Sequence, residues 1–217
     1  EYGANVGLAN DGDADRLLAV DERGETLDGD QIMLICALEL MKRKKLKDNM
    51  LVVTVMSNIG LHKAFKELGG RTVKTAVGDR YVLEEMLKHG YNLGGEQSGH
   101  IIFSEFAKTG DGMLTAVQLL GAMINNNKRL SELGRLMRRY PQVLVNVRVK
   151  DKSGWEQHED IKQAVAAAAA QLGDNGQILV RASGTEPLIR IMAEGPNQIE
   201  LENLAGTIAD VVSKSLA

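Results

Sequence analysis

Apolar positions near the start of the chain fall in two short clusters, residues 6–9 and 17–20, on either side of a polar loop. The pattern predicts two strands. Two strands cannot bury a core by themselves, so residues 1–28 are expected to be the tail of an α/β domain whose other strands lie elsewhere. Residues 31–41 are apolar on nearly every side, which predicts a buried helix, with Asp30 as its N-cap. Continuous apolar runs and helical periodicity then alternate. Strands are predicted at 51–56, 71–77, 91–94 and 100–106. Helices are predicted at 58–68, 79–88 and 111–124, with a short one at 130–139. That alternation predicts a complete βαβ-type mixed-sheet domain over 29–139. Beyond Pro141 the valines at 143, 145, 147 and 149 alternate with polar residues, as in a strand with one wet face. Strands at 178–181 and 188–193 and helices at 159–172 and 198–216 complete a predicted α+β domain over 140–217. Five alanines at 166–170 allow close packing of their helix on a sheet and carry high helix propensity.

Composition narrows the classes. With 44% apolar and 25% charged residues the chain reads as an ordinary globular protein. Its formal net charge of -3 gives no sign of a nucleic-acid or anionic-membrane partner. No apolar run approaches the roughly 18 residues that span a bilayer, and no signal peptide is recognisable. Cys36 is the single cysteine, so no intrachain disulfide forms, and its apolar setting predicts a buried, inert thiol. A cytoplasmic location is expected.

Three loops carry candidate chemistry. In Asp11-Gly12-Asp13-Ala14-Asp15-Arg16, three carboxylates at alternate positions repel one another unless a cation neutralises them. All-oxygen ligands suit Mg²⁺ first, then Ca²⁺ or Mn²⁺. An EF-hand is excluded because the glycine it requires at its sixth position is here Arg16. In Gly94-Gly95-Glu96-Gln97-Ser98-Gly99-His100, glycines bracket side chains able to bond sugar hydroxyls, although a plain hairpin turn reads the same way. Arg181-Ala182-Ser183-Gly184-Thr185-Glu186, followed by Arg190, combines guanidinium groups, hydroxyls and a glycine, which suits a phosphate dianion.

In this order the three loops resemble the metal-, sugar- and phosphate-binding loops of the α-D-phosphohexomutases. The stretches 28–33, 76–82, 95–100 with Gln97, and 181–194 resemble the phosphoglucosamine mutase branch. The resemblance implies Mg²⁺ on Asp11, Asp13 and Asp15, with Arg16 beside the reacting phosphoryl group. It implies sugar contacts from Glu96 and Ser98, with His100, Gly78, Asp79 and Arg80 nearby, 78–80 being a loop facing the sugar. Arg181, Ser183, Gly184, Thr185 and Arg190 would hold the non-transferring phosphate. The implied reaction interconverts glucosamine 6-phosphate and glucosamine 1-phosphate through a phosphoserine relay and a glucosamine 1,6-bisphosphate intermediate, feeding amino-sugar and peptidoglycan precursor synthesis.

Two positions depart from the family pattern, which usually has Gly where this chain has Ala14 and commonly Phe where it has Asn10. None of Ser57, Ser98, Ser104 and Ser183 lies in the family's nucleophile context, so the relay serine is expected upstream of Glu1, in N-terminal domains of the same protein. The chain alone is then expected to be inactive. The alternatives are a phosphomannomutase/phosphoglucomutase and a non-catalytic phosphosugar-binding module; a homodimer is compatible with either.

Overall fold

The computed structural model describes residues 3–216; Glu1 and Tyr2, at the start of the first expected segment, and Ala217, at the end of the last, lie outside the described residues. The chain divides into two compact units, the first ending at Arg139 and the second beginning at Tyr140.

In the first unit, β1 (Val6–Asn10), β2 (Leu17–Asp21) and β3 (Thr26–Leu27) form an antiparallel meander. Val6 faces Asp21 and Asn10 faces Leu17, which leaves residues 11–16 as the turn. β2 buries Leu17 and Ala19, while Leu18 stays 39% exposed. Leu17, Ala19 and Leu27 join the core built by α1 (Gly29–Lys42), so the meander is anchored to the unit's helices. The second sheet runs in the order β5 (Arg71–Thr75), β4 (Met50–Thr54), β6 (Leu93–Gly95), β7 (Ile101–Phe103). β4 pairs in parallel with β5 and β6, and β7 closes antiparallel to β6.

β4 is apolar from Met50 to Val53 because both its faces are covered. Leu51 and Val53 pack towards α1, while Val52 packs with Val82 and Met86 of α3 (Asp79–His89). α2 (Ile59–Glu67), α4 (Gly112–Asn126) and α5 (Leu130–Gly134) complete the unit. Phe65 and Leu51 are fully buried; truncating either to alanine costs about 2–5 kcal/mol. Cys36 is buried as expected, and loss of solvent pushes its thiol up to about 12.

The N-cap of α1 differs from expectation. Asp28 caps it, accepting from Gln31 N–H at 3.2 Å, while Gln31 Oε1 accepts from Asp28 N–H at 3.4 Å. This reciprocal pair satisfies two otherwise orphaned donors. Asp30 is instead fully buried in the first turn, where it accepts Asn58 N–H at 2.7 Å and so ties α1 to the N-cap of α2.

In the second unit β8 (Gln142–Arg148), β10 (Leu188–Glu194) and β9 (Gln177–Ala182) form an antiparallel sheet in that spatial order. Ile189, Ile191 and Ala193 are buried with Leu201, Ala205, Ile208 and Val212 of α7 (Gln198–Ser215). α6 (Glu159–Leu172) packs beside α7. Of the alanines at 166–170 only Ala168 is buried. The run therefore acts mainly through helix propensity, not through close packing on the sheet.

Candidate functional site

Each unit presents one charged turn. In the first unit Asp11, Asp13 and Asp15 each offer a carboxylate oxygen within 4.8 Å of the others. Backbone bonds hold them there: Ala14 N–H donates to Asp11 O at 3.2 Å, and Arg16 N–H to Asp11 Oδ1 at 3.3 Å. Asn10 Nδ2 donates to Arg16 O at 2.7 Å and closes the turn. The first residue of α4 supports it from beneath. Gly112 N–H donates to Ala14 O at 2.9 Å, and a Cβ at Gly112 would lie 1.9 Å from Asn10 Nδ2, so only glycine fits. Ala14 takes a left-handed φ of 59°, where a Cβ is strained.

The carboxylates repel. Asp15 is raised above the ordinary carboxylate range, first by loss of solvent and then by Asp13 and Asp11, against opposing pulls from His100 and Arg16. Asp15 Oδ1 is buried and accepts no hydrogen bond, with Arg16 Nε 3.7 Å away. Arg16 Nε also lies 3.4 Å from Asp11 Oδ2. Three converging carboxylates, an unpartnered buried oxygen and a single guanidinium fit a hard divalent cation.

The tip of the β6–β7 hairpin is stitched to this turn. Leu17 N–H donates to Gly99 O at 3.1 Å, and Arg16 and His100 form an antiparallel bridge. Gly99, at φ 96°, passes so close that a Cβ would sit 2.2 Å from Leu17 O. A cleft of about 530 Å³ opens alongside; Arg16, Glu96, Gln97, Ser98, Asp28 and Arg139 are among the residues that line it. The fold thus brings Arg16, Glu96 and Ser98 together. Glu96 Oε1 accepts Gly78 N–H at 3.0 Å, which fixes the segment before α3.

His100 is buried beneath the acidic turn. Its Nε2 accepts Gly110 N–H at 3.2 Å and lies 3.5 Å from Asp15 Oδ2. Asp79 and Arg80 are not part of a loop; they are the first residues of α3. Arg80 bonds Glu84 of its own helix at 2.7 Å, the i,i+4 pairing that an exposed helical arginine favours. Asp79 reaches only to 4.0 Å from His100 Nε2.

Asp28 and Arg139 were not anticipated in the cleft. Their side chains lie 3.7 Å apart. Burial raises the Asp28 carboxyl, against the Gln31 hydrogen bond and the Arg139 charge. Asp28 opens the 28–33 stretch noted above, but nothing local links it to Arg139, more than a hundred residues away in sequence.

In the second unit Arg190 stands opposite Arg181 across β10 and β9. Like charges directly opposite destabilise a sheet. Burial lowers Arg181, and the Arg190 charge lowers it further. Arg190 Nη2 bonds Glu186 at 2.9 Å and Ser183 Oγ at 3.2 Å, while its buried Nε donates to no protein acceptor. Ser183 is buried, and its Oγ also accepts Glu186 N–H at 3.4 Å. Ser183 therefore orients Arg190. Gly184 and Thr185 are exposed. Gly184 has no left-handed φ, and a Cβ there would meet nothing within 4 Å. Lys152 Nζ, also unanticipated, donates to the carbonyls of Ser183, Gly184 and Glu186. Two arginines on facing strand positions, only one of them paired with a carboxylate, suit a phosphate.

The chain matches known proteins in sequence and in fold. The family described as phosphoglucomutase/phosphomannomutase matches twice: its alpha/beta/alpha domain III over residues 28–140, and its C-terminal domain over residues 144–211. Phosphoglucosamine mutase of Geobacillus thermodenitrificans is 56% identical over 216 residues, 100% of this chain and 48% of that protein. Phosphoglucosamine mutase of Symbiobacterium thermophilum is 56% identical over 215 residues, 99% of this chain and 48% of that protein. Among solved structures, Aspergillus fumigatus N-acetylphosphoglucosamine mutase in complex with GlcNAc-6P and magnesium superposes with a TM-score of 0.80 at 23% identity, over 97% of this chain and 49% of that one. The chain spans about half the length of the curated relatives it matches.

Proposed function

The chain belongs to the phosphoglucomutase/phosphomannomutase family, and on that premise we propose that it forms half of a phosphosugar mutase interconverting glucosamine 6-phosphate and glucosamine 1-phosphate. The observation that carries the choice of sugar is the 56% identity to phosphoglucosamine mutase along 216 residues. In this reading a phosphoserine outside these 217 residues donates its phosphoryl group to one sugar oxygen. The resulting glucosamine 1,6-bisphosphate reorients, and its other phosphate returns to the serine. Such transfer depends on positioning and on neutralising charge.

Each charged turn has a part in that task. Asp11, Asp13 and Asp15 hold Mg²⁺, as their convergence and the unpartnered Asp15 Oδ1 support. When bound, the ion neutralises charge on the transferring group. Arg16 adds a guanidinium at the edge of the cleft. Glu96 spends one oxygen on Gly78 N–H and keeps the other for a sugar hydroxyl, with Ser98 beside it. Gly78 thus acts by holding Glu96, and His100 by packing under the acidic turn. Arg181, Arg190, Thr185 and the Gly184 backbone grip the phosphate not being transferred, with Ser183 holding Arg190 in place.

The remaining partners in this reading are the N-terminal domains of the same protein, with residues 1–28 completing one of them. On the face of the meander opposite Leu17 and Ala19, Leu18 is 39% exposed, as a side chain awaiting a neighbour would be. Among the described residues no helix is long and apolar enough to cross a membrane, which is compatible with the proposed cytoplasmic location.

Turnover of glucosamine phosphates well above glucose phosphates by the intact protein tests the assignment; a preference for glucose or mannose phosphates would overturn the sugar. The 217-residue chain alone should bind phosphosugar without isomerising it, and turnover by it would show that the relay group lies within it. One observation favours a second reading, a phosphosugar-binding module without turnover: Ala14 holds a left-handed φ of 59° in the metal turn. An inactive intact protein that still binds phosphosugar would select it.

A further inference from the structure

We propose that Lys152 is a positioning residue for phosphate binding, setting the direction of the backbone donors in the arginine turn; this rests on the reading of that turn as a phosphate site. Lys152 lies some thirty residues before the turn, beyond the end of β8. Val149 N–H donates to Pro187 O at 3.1 Å, which carries the chain past the turn and delivers Lys152 to it. There Nζ donates to Ser183 O at 2.5 Å, Glu186 O at 3.1 Å and Gly184 O at 3.4 Å. An ammonium has three protons and no acceptor, so three carbonyls from one turn match its capacity.

The consequence follows from peptide geometry. In a trans peptide the carbonyl of one residue and the N–H of the next point in opposite directions, and no cis peptide occurs among the described residues. Drawing Ser183 O and Gly184 O towards Lys152 turns Gly184 N–H and Thr185 N–H away from it. Neither N–H donates to a protein acceptor among the described residues. Two adjacent free N–H groups make an anion-binding concavity, in the same turn as Ser183 and the arginine pair. Without the ammonium the two peptide planes are free to rotate, and three carbonyl dipoles are no longer neutralised beside the incoming anion.

The test uses the ¹⁵N-labelled 217-residue chain titrated with inorganic phosphate, following the Gly184 and Thr185 amide resonances. Lys152→Met should weaken phosphate binding by about tenfold or more, the loss of roughly one charge-assisted hydrogen bond. It should also move the Gly184 and Thr185 resonances before any phosphate is added, a signature that a change in overall stability would not confine to this turn. Lys162→Met removes an equal charge from an exposed residue of α6 that pairs with Glu159, and it should leave binding unchanged. If Lys152→Met does not fold, Lys152→Gln, which keeps a neutral amide donor without the ammonium's three protons, should weaken phosphate binding and move the same two resonances, and parent-like binding by it would overturn the role of Lys152. Phosphate binding by Lys152→Met within twofold of the parent would overturn the role of Lys152 alone. A parent chain in which phosphate moves neither amide would overturn the phosphate reading and the Lys152 proposal with it.

Discussion

The acidic turn of the first unit and the arginine turn of the second solve the same problem with opposite charge. Each joins two antiparallel strands, gathers like charges, and includes one residue of the other sign, Arg16 in the first and Glu186 in the second. Each leaves one buried polar atom without a hydrogen bond, Asp15 Oδ1 in the first and Arg190 Nε in the second. They differ in how the charges are gathered. The acidic turn packs them into alternate residues of one loop and holds Ala14 at a left-handed φ. The arginine turn gathers its pair across strand register, with no left-handed residue between Ser183 and Pro187. One turn stores part of its cost in the backbone, whereas the other stores it in cross-strand repulsion. A ligand of the right charge should relieve both.

The largest expected effect breaks the basic side of this comparison. Arg181→Ala should lower affinity for inorganic phosphate by about 10- to 100-fold, since a hydrogen bond to a charged group contributes about 1.5–3 kcal/mol. Without phosphate the same change should raise the melting temperature, because it removes one of two facing guanidinium groups. Calorimetry on both states checks it. Unchanged binding with a lowered melting temperature would make Arg181 a structural residue and dissolve the parallel.

Asp15→Asn is the matching experiment on the acidic side. Magnesium affinity should fall by about tenfold or more on losing a carboxylate ligand. The metal-free chain should become more stable, because the lost charge is one that burial, Asp13 and Asp11 all disfavour. A drop in both quantities would show that the Asp15 charge stabilises the turn without any ion.

How much of this was legible in the sequence follows the same contrast. The carboxylates at 11, 13 and 15 are neighbours along the chain, so their convergence was readable from spacing. The strand and helix order was readable too, because β4 is apolar from Met50 to Val53 and β8 alternates. Lys152, Arg139 and Gly112 were not readable, since each reaches its turn through tertiary packing over a long sequence separation. Asp30 was misassigned because two aspartates stand near the start of α1, and only the Gln31 partner distinguishes the capping one. Ser183 was expected to touch phosphate directly; in the structure it is buried and its hydroxyl accepts from Arg190.

A pH titration sharpens the acidic side, provided one interfering group is removed. His62 bonds Thr72 at 2.8 Å, and burial, followed by the Lys74 charge, lowers its pKa to about 4. Its ordinary value is 6.5. The fold therefore keeps His62 neutral where the unfolded chain protonates it. Stability is complete above pH 6.5 and is lost as pH falls from there towards 4, by at most about 1.4 kcal/mol per pH unit. Asp15 runs the other way, because its folded value is raised. The metal-free chain gains relative stability as pH falls through that raised value. His62→Gln should remove the first trend and expose the second, seen as melting temperatures followed from pH 7 to pH 4. Saturating Mg²⁺ should reverse the exposed trend, since the ion favours the charged carboxylate. If His62→Gln leaves the acid limb unchanged, the loss of stability arises elsewhere.

The smallest effect tests whether the two turns really differ in backbone strain. A left-handed conformation costs a residue with a Cβ about 1–2 kcal/mol, and Ala14 adopts it at φ 59°. Ala14→Gly removes that cost but gives the unfolded chain more freedom, which returns about 0.4–1 kcal/mol. The net gain should lie between about 0 and 1.6 kcal/mol, each kcal/mol raising the melting temperature by roughly 2–4 °C for a chain of this size. Gly184→Ala is the counterpart in the arginine turn. Gly184 is not left-handed, and its Cβ would meet nothing within 4 Å, so the unliganded chain should melt at the same temperature or slightly higher. On the proposed function phosphate affinity should nevertheless fall, because the anion would approach through the open space beside Gly184. Opposite substitutions would then each be tolerated by the fold for a different reason: one relieves the backbone, and the other occupies room kept for a ligand. If Ala14→Gly lowers the melting temperature, the left-handed alanine is not under strain, and the acidic turn carries only the repulsion that its basic counterpart also carries.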